Sequence, residues 1–376
     1  MQKKIIALAI AGLASTAAFA QSNVTIYGVA DVFYGQARAD GHKTSSVINS
    51  GGLSGSRIGF KGVEDLGNGL KALFTLEYGL AIDQNTGITG DQANNAARQQ
   101  FVGLTSNTLG TVLAGYLQTA GYDFACAANP IAGSPLDGYT VVGAASLLSC
   151  SQAGRASNAV AYVSPTFAGL SFAYNHARVT EANAYSLTVG ASGTQRDSFA
   201  NLAAVSYANG PISAGVVYSK IDAAATAVAD NTREFGVRGA YDFGVAKLFA
   251  SYQRKGTDGV AGVTNQHDSK WQVSAAVPVM ANGTAIAMYA RNGLKNNAVE
   301  EDRSSAITVA YTHALSKRTK LYAGYTHVSN DNNAAVAAFG VYGNAAGTYT
   351  AADKVSLKPT IGGDASVFAL GVNHAF

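Results

Sequence analysis

Apolar and polar positions alternate along most of this chain in stretches of about ten residues. Examples are "VTIYGVADVF", "KALFTLEY", "REFGVRGAYDF" and "SAITVAYTHA". Side chains of a strand point alternately to its two faces, so each stretch is predicted to be a strand with one apolar face. Ten residues is about the length of a tilted strand that crosses a bilayer. After residue 20 no apolar run approaches the roughly 18 residues of a membrane-spanning helix, which excludes a helical membrane protein.

The connections between these stretches alternate between two lengths. The short ones carry turn residues, as in "DLGNG", "NTLG", "PTFAG" and "LSKR". The long polar ones lie at 36–55, 81–96, 117–154, 179–198, 221–232, 255–267, 293–303 and 329–365. This alternation predicts an all-β fold, a transmembrane antiparallel up-and-down β-barrel with short periplasmic turns and long outer loops. A soluble β-sandwich would not separate its loops by length so regularly.

We expect about 16 strands, an even number that places both chain termini in the periplasm and lets the first and last strands pair. Their predicted ranges are 24–35, 56–65, 69–80, 97–105, 110–116, 156–163, 169–178, 199–208, 212–220, 233–242, 245–254, 268–278, 283–292, 304–313, 319–328 and 366–376.

The final stretch, "ASVFALGVNHAF", is predicted to be the strand that closes the barrel. Every backbone polar group must be paired in lipid, so a spanning sheet cannot leave an edge free. Phe368, Leu370 and Val372 are expected to face lipid, with Phe376 at the interfacial aromatic girdle and needed for assembly. The alternative is a buried last strand of a soluble protein.

The first 20 residues, "MQKKIIALAIAGLASTAAFA", read as a secretory signal cleaved after Ala20, which leaves 21–376 as the barrel. The alternative, a first transmembrane helix, has too short an apolar core. Loss of Lys3 and Lys4 lowers the formal net charge from +3 to +1. With 13% charged residues and no basic stripe, the chain is not expected to bind nucleic acid.

Several segments resemble one family in the same order along the chain: "VTIYGVAD", "GSRIGFKGVEDLGNGLKA", "RQQFVGL", "NAVAYVSPTFAGLSFAY", "YTHALSKRT" and "LGVNHAF". The chain resembles the Gram-negative general-diffusion porins of the beta-proteobacterial branch. The resemblance implies a homotrimer in the outer membrane, in contact with its lipid and lipopolysaccharide. It also implies passive diffusion of small hydrophilic solutes and ions through a pore that a long third outer loop narrows from within the lumen.

Three arginines are the main candidates for lining that constriction. Arg57 has inward parity, with Ile58 and Phe60 outward; Arg98 opens "RQQFVGL", with Phe101 outward; Arg155 follows the third loop. All three match positions where the family resembled carries a basic ladder. Guanidiniums confined in a narrow channel concentrate anions, so we expect an anion preference. Alternatively, each arginine is a surface or interface residue paired to a loop carboxylate.

Other charged residues are weaker candidates for the pore constriction. Lys61 shares the inward parity with Lys71 and Arg238, although each can lie above or below the narrowest point. Asp123 and Asp137 are the acids of the third loop. They either oppose the arginines across the pore or cap local turns.

Cys126 and Cys150, the only cysteines, both lie in the third loop and are expected to form a disulfide in the oxidising periplasm. The alternative is two free thiols. The six histidines are scattered and no CxxC is present, so neither a metal site nor a cofactor is expected.

Three further functions compete with that of a general pore. A barrel enzyme would need a nucleophile and a histidine held by a third group at one membrane level, and none is evident. The long loops permit an adhesin or phage receptor with incidental conductance. A substrate-specific channel of the same fold is the third alternative.

Overall fold

The computed structural model describes residues 23–84, 97–143, 146–180, 198–222, 231–257, 266–296, 299–331, 334–337 and 359–376. The proposed signal segment 1–20 lies outside the described residues and stays a prediction.

Antiparallel strands make up most of the described chain, and nearly all consecutive strands are hydrogen-bonded neighbours. They are β1 (Asn23–Ala39), β2 (Ser45–Ser50), β3 (Arg57–Gly67), β4 (Leu70–Gly79), β5 (Ala97–Ser106), β6 (Gly110–Gln118), β7 (Arg155–Val163), β8 (Leu170–Thr180), β9 (Ser198–Asn209), β10 (Ile212–Asp222), β11 (Thr232–Asp242), β12 (Lys247–Thr257), β13 (Gln266–Val279), β14 (Gly283–Asn296), β15 (Val299–Ala314), β16 (Thr319–Asn330) and β17 (Ala365–Ala375). The helices are α1 (Ala120–Cys126), α2 (Gly138–Val141) and a 3-10 turn at Gln152–Gly154. No helix among the described residues has the length and apolar character needed to span a membrane.

The sheet closes on itself because β1 pairs with β17, from Val29 opposite Ala375 to Ala39 opposite Ala365. On its other side β1 pairs with β3 along its first half and with β2 along its second half. The short strands β2 and β3 therefore occupy one position, and the barrel has 16 strand positions. The predicted barrel and strand number are confirmed, and the first long connection contributes a strand that the sequence did not indicate.

The segment between β2 and β3, Gly51–Ser56, is held by the carboxylate of Asp31. Asp31 has no exposed surface and accepts hydrogen bonds from the amides of Gly52 at 2.8 Å, Leu53 at 3.0 Å and Ser54 at 2.9 Å. Tyr322 on β16 donates a further hydrogen bond to it at 2.6 Å. The segment that separates β2 from β3 is thus fixed against β1 and β16, close to where β1 and β17 close the barrel.

The two faces of the barrel differ in what covers them. One face of the strands packs against the third loop, and the other exposes large apolar side chains such as Val102, Ile307 and Leu370 at 61%, 55% and 52%. Phe101 was predicted to point outward, and this is wrong: its ring packs against the apolar cluster under the third loop. The β4–β5 register shifts between Glu77 and Tyr78, so parity counted from Arg98 fails beyond that point.

Candidate functional site

The third long connection, of which residues 119–143 and 146–154 are described, lies inside the barrel and packs along its wall. Helix α1 packs against β8–β10 through an apolar cluster that includes Phe124 and Leu202. Helix α2 packs against β13–β16 through a second cluster that includes Leu136 and Met288. Burial of these side chains holds the loop in the lumen, as the sequence resemblance implied.

Inward-facing polar side chains of the strands bind the backbone of this loop at several points. Asn175 accepts from the amide of Ala120 at 2.8 Å, and Gln272 donates to the carbonyl of Ala128 at 2.8 Å. Thr308 and Thr326 both donate to the carbonyl of Leu136, at 2.9 and 3.0 Å. The inward-facing polar side chains of these strands therefore hold the backbone of the loop that narrows the lumen.

Two of the three predicted arginines meet at one carboxylate on the wall of β3–β5. Glu77, only 5% exposed, accepts from Arg98 Nε at 2.7 Å and from the hydroxyl of Tyr27 at 3.0 Å. Arg57 Nε lies 3.6 Å from the same carboxylate and donates through Nη1 to the carbonyl of Gly55 in the segment held by Asp31. Two guanidiniums share one carboxylate, so the group keeps a net positive charge.

Glu77 was not among the predicted site residues. It has inward parity in "KALFTLEY", opposite to Leu76, and lies diagonally across from Arg57 on the neighbouring strand. That cross-strand complementarity was the available signal. The predicted arginines do carry a partner, but it is a wall carboxylate rather than the loop carboxylate of the alternative interpretation.

The third arginine, Arg155, is held by the third loop itself. Its Nη1 donates to Gln152 at 3.1 Å, its Nη2 donates to the hydroxyl of Tyr122 at 3.1 Å, and its guanidinium carbon lies 4.5 Å from the centre of the Tyr122 ring. Gln152 in turn donates to the hydroxyl of Tyr116. Arg155 is 8% exposed and close enough to Arg98 for the two charges to interact.

The weaker basic candidates lie at three different places. Lys61 is exposed, with Nζ 5.1 Å from the centre of the Tyr27 ring, beside the Glu77 group. Lys71 lies opposite Asp65 at the other end of β4, about 20 Å along the strand from Glu77. Arg238 lies on β11 beside α1, with its guanidinium carbon 5.8 Å from the centre of the Phe124 ring.

The two acids of the third loop, Asp123 and Asp137, differ in solvent exposure. Asp123 is exposed on α1; desolvation raises the pKa of its carboxyl above the ordinary value, and the charges of Arg238 and Arg155 oppose the increase. Asp137 is 1% exposed and accepts from Asn129, from the amide of Gly133 and from Tyr139 N at the start of α2. The pore-lining assignment of Asp137 is therefore corrected: its carboxylate is enclosed by loop donors and is a structural cap.

Cys126 and Cys150 form the predicted disulfide, with their Cα atoms 4.7 Å apart. The bridge joins the end of α1 to the last residues of the loop. Tyr122 lies just before it and Arg155 just after it, so the bridge holds both ends of the Tyr122–Arg155 contact.

We expect non-reducing mass analysis to find this bridge and both thiols to resist alkylation until reduced. The bridge closes a loop with a sequence separation of 24. By limiting the conformations of the unfolded chain, it stabilises the folded loop by about 3 kcal/mol. Reduction, or a C126S/C150S variant, should clearly increase the open-channel current noise. It should lower the melting temperature only slightly, because the barrel's strand pairing does not include the loop. Ready alkylation of the native protein would reject the bridge, and unchanged noise after reduction would reject its role in stiffening the loop.

Comparison with known proteins identifies one family throughout. The family model described as Gram-negative porin matches residues 7–333. Outer membrane porin protein 32 of Delftia acidovorans is 29% identical over the full length of both chains. An outer membrane porin protein of Bordetella pertussis is 27% identical over 88% of this chain and 95% of its own. The solved structure titled anion-selective porin from Comamonas acidovorans superposes with a TM-score of 0.74 at 25% identity, over 95% of this chain and 100% of its own.

Proposed function

Because this chain belongs to the Gram-negative porin family, we propose that its water-filled channel prefers anions and that Arg57, Arg98 and Arg155 set the preference. The protein is an outer-membrane porin, as the sequence predicted. We further propose that the long connections face the exterior and that both ends of the described chain face the periplasm.

The observation that carries the anion preference is the charge balance of the three arginines, Glu77 and the two acids of the third loop. Glu77 is one carboxylate for two guanidiniums, and Arg155 adds a third. Of the loop acids, Asp137 is enclosed and Asp123 faces Arg238. A net positive cluster on the wall of a channel with low-dielectric walls raises the local concentration of anions. The Comamonas acidovorans structure titled anion-selective supports the same assignment.

We propose that transport is passive diffusion of small hydrophilic solutes without catalysis, and that the protein assembles as a homotrimer. Conductance steps in a planar bilayer test the proposal, and ohmic steps grouped in threes are expected. A silent protein would favour the adhesin or phage-receptor alternative, and saturation of the current by one solute would favour a substrate-specific channel.

The raised pKa of Asp123 gives this channel a pH dependence. Protonation removes a negative charge from the lumen, so anion preference should rise as pH falls, beginning above the ordinary aspartate pKa of about 3.9. Reversal potentials under a fixed salt gradient measure the change. The D123N variant should show greater anion preference at neutral pH and a smaller response to acid. An identical pH response in D123N would contradict the assignment of the titration to Asp123.

A further inference from the structure

A basic cavity lies on the outward face of the barrel, away from the lumen. It has a volume of about 290 Å³ and is lined by Ser269, Trp271, Arg291, Asn292, Gly293 and Arg303. Trp271 is 39% exposed, whereas its neighbours Lys270 and Gln272 are 8% and 1% exposed under the third loop. The alternation of the strand therefore places this cavity on the side that faces the membrane.

The register of β13, β14 and β15 arranges the cavity in rows across the sheet. The upper row is Ser269, Gly293 and Arg303, since each pairs directly with the next. Gly293 has no side chain, so it leaves an open floor between the serine hydroxyl and the guanidinium. The adjoining residue on β12 is Arg254, which pairs with Ser269 and is exposed.

The next row down is Trp271, Arg291 and Ser305. Trp271 and Arg291 are direct partners across the two strands and both line the cavity. The Trp271 ring centre lies 5.4 Å from that of Tyr289 below. These two rows together carry two arginines at the cavity and a third at its border, with no carboxylate among their members. Several guanidiniums on one face attract an anion, and their N–H groups can donate hydrogen bonds to it.

Directly below these rows the surface becomes apolar. Val273, Tyr289 and Ile307 form the third row, and Val273 and Ile307 are 50% and 55% exposed. The cavity lies at the strand ends that adjoin the long connections, where β13 begins at Gln266 and β14 ends at Asn296. A basic group above an exposed apolar band, with tryptophan at the boundary, matches a molecule with an anionic head and apolar chains.

We propose that this cavity binds the phosphate headgroup of a lipid in the outer leaflet, with the acyl chains against the row of Val273, Tyr289 and Ile307. Arg291 and Arg303 bind the phosphate oxygens, Ser269 donates a hydrogen bond, and Trp271 covers the junction between head and chains. Guanidinium suits this ligand because its planar N–H groups pair with two phosphate oxygens at once. The inference rests on the orientation proposed above, with the long connections outside.

Native mass spectrometry of the purified assembly in detergent tests the proposal, with bisphosphorylated lipid A, its dephosphorylated form and inorganic phosphate as probes. Wild-type protein should bind the bisphosphorylated lipid at least about tenfold more tightly than the dephosphorylated one. The R291Q/R303Q variant should lose that difference. The R38Q variant, which removes an exposed arginine of β1 outside the cavity, should keep it.

Equal binding of the two lipids by wild type, or an unchanged preference in R291Q/R303Q, would overturn the proposal. Displacement of the lipid by an equal concentration of inorganic phosphate would show a free-anion site instead. If R291Q/R303Q does not assemble, S269E keeps both arginines and places a carboxylate in the upper row, and it should weaken lipid binding similarly. Conductance should equal that of wild type in each assembled variant, so failure here is distinct from failure of the channel function.

Discussion

Replacing Arg57, Arg98 and Arg155 together by alanine is expected to convert an anion-preferring channel into a cation-preferring one. The three guanidiniums and Glu77 carry a net charge of two positive units, and the triple variant leaves Glu77 alone with the hydroxyl of Tyr27. A unit charge about 8 Å from an ion interacts with it by about 1 kcal/mol at an effective dielectric near 40. The anion-to-cation permeability ratio should therefore fall by one to two orders of magnitude at low salt, as reversal potentials will show.

Two control variants show whether the effect of the triple variant comes from the loss of charge rather than of side-chain volume, and whether the position of the charge matters. R57K/R98K/R155K keeps the charges and should keep the sign of the selectivity, although its magnitude will change because lysine cannot reproduce the guanidinium geometry. K71A removes an inward lysine about 20 Å along β4 from Glu77 and should have little effect. If the triple alanine variant keeps the wild-type permeability ratio, the selectivity arises elsewhere, and the long outer loops become the place to examine.

Loss of Phe376 is expected to reduce assembled protein several-fold, the largest effect on folding that we foresee. Its amide donates to the carbonyl of Gly28 at 3.1 Å, and the amide of Gly28 donates back at the same distance. The ring lies over Gly28 so closely that a Cβ there would be 2.3 Å from Phe376 Cζ. Deletion of Phe376 leaves the start of the β1–β17 seam unpaired in lipid, where an unmet backbone group is costly.

The close contact at Gly28 offers an independent test of the seam. G28L should displace the ring and lower the yield of the heat-modifiable band on electrophoresis about as much as the deletion does. F376Y keeps an aromatic ring at the interface and should assemble normally. F167A removes another exposed aromatic, in the β7–β8 turn and away from the seam, and should assemble normally too. Normal assembly of the deletion variant would show that the seam closes without this residue.

The strands were predictable because their signal is local. The range 212–220 corresponds to Ile212–Asp222, and 283–292 corresponds to Gly283–Asn296. Alternation of apolar and polar residues marks the part of each strand that has one face on lipid. The alternation weakens where a strand continues beyond the membrane into a long connection. The observed β14 and β1 are therefore longer than predicted at their loop ends.

The candidate site was predictable only in part, because its contacts join distant residues. Asp31 holds the segment before Arg57 but is itself bound by Tyr322, 291 residues away. Glu77 accepts a hydrogen bond from Arg98 because the register of β4 and β5 shifts at this point, and an alternation pattern cannot show such a shift. The position of Arg57 followed from parity and those of Arg98 and Arg155 from family resemblance. The carboxylate that Arg57 and Arg98 share required the paired strands to be seen together.

The reversal potential of the wild-type channel under a salt gradient, measured near 0.1 M, tests the central claim most directly. The Debye length is then about 10 Å, so charges of the lumen wall still act on ions in the pore, and at 1 M it is about 3 Å. A net positive lumen predicts a potential of the sign for anion preference that shrinks as both salt concentrations rise. A cation-selective potential at low salt, or one of zero, would contradict the assignment of Arg57, Arg98 and Arg155 to the selectivity of this pore.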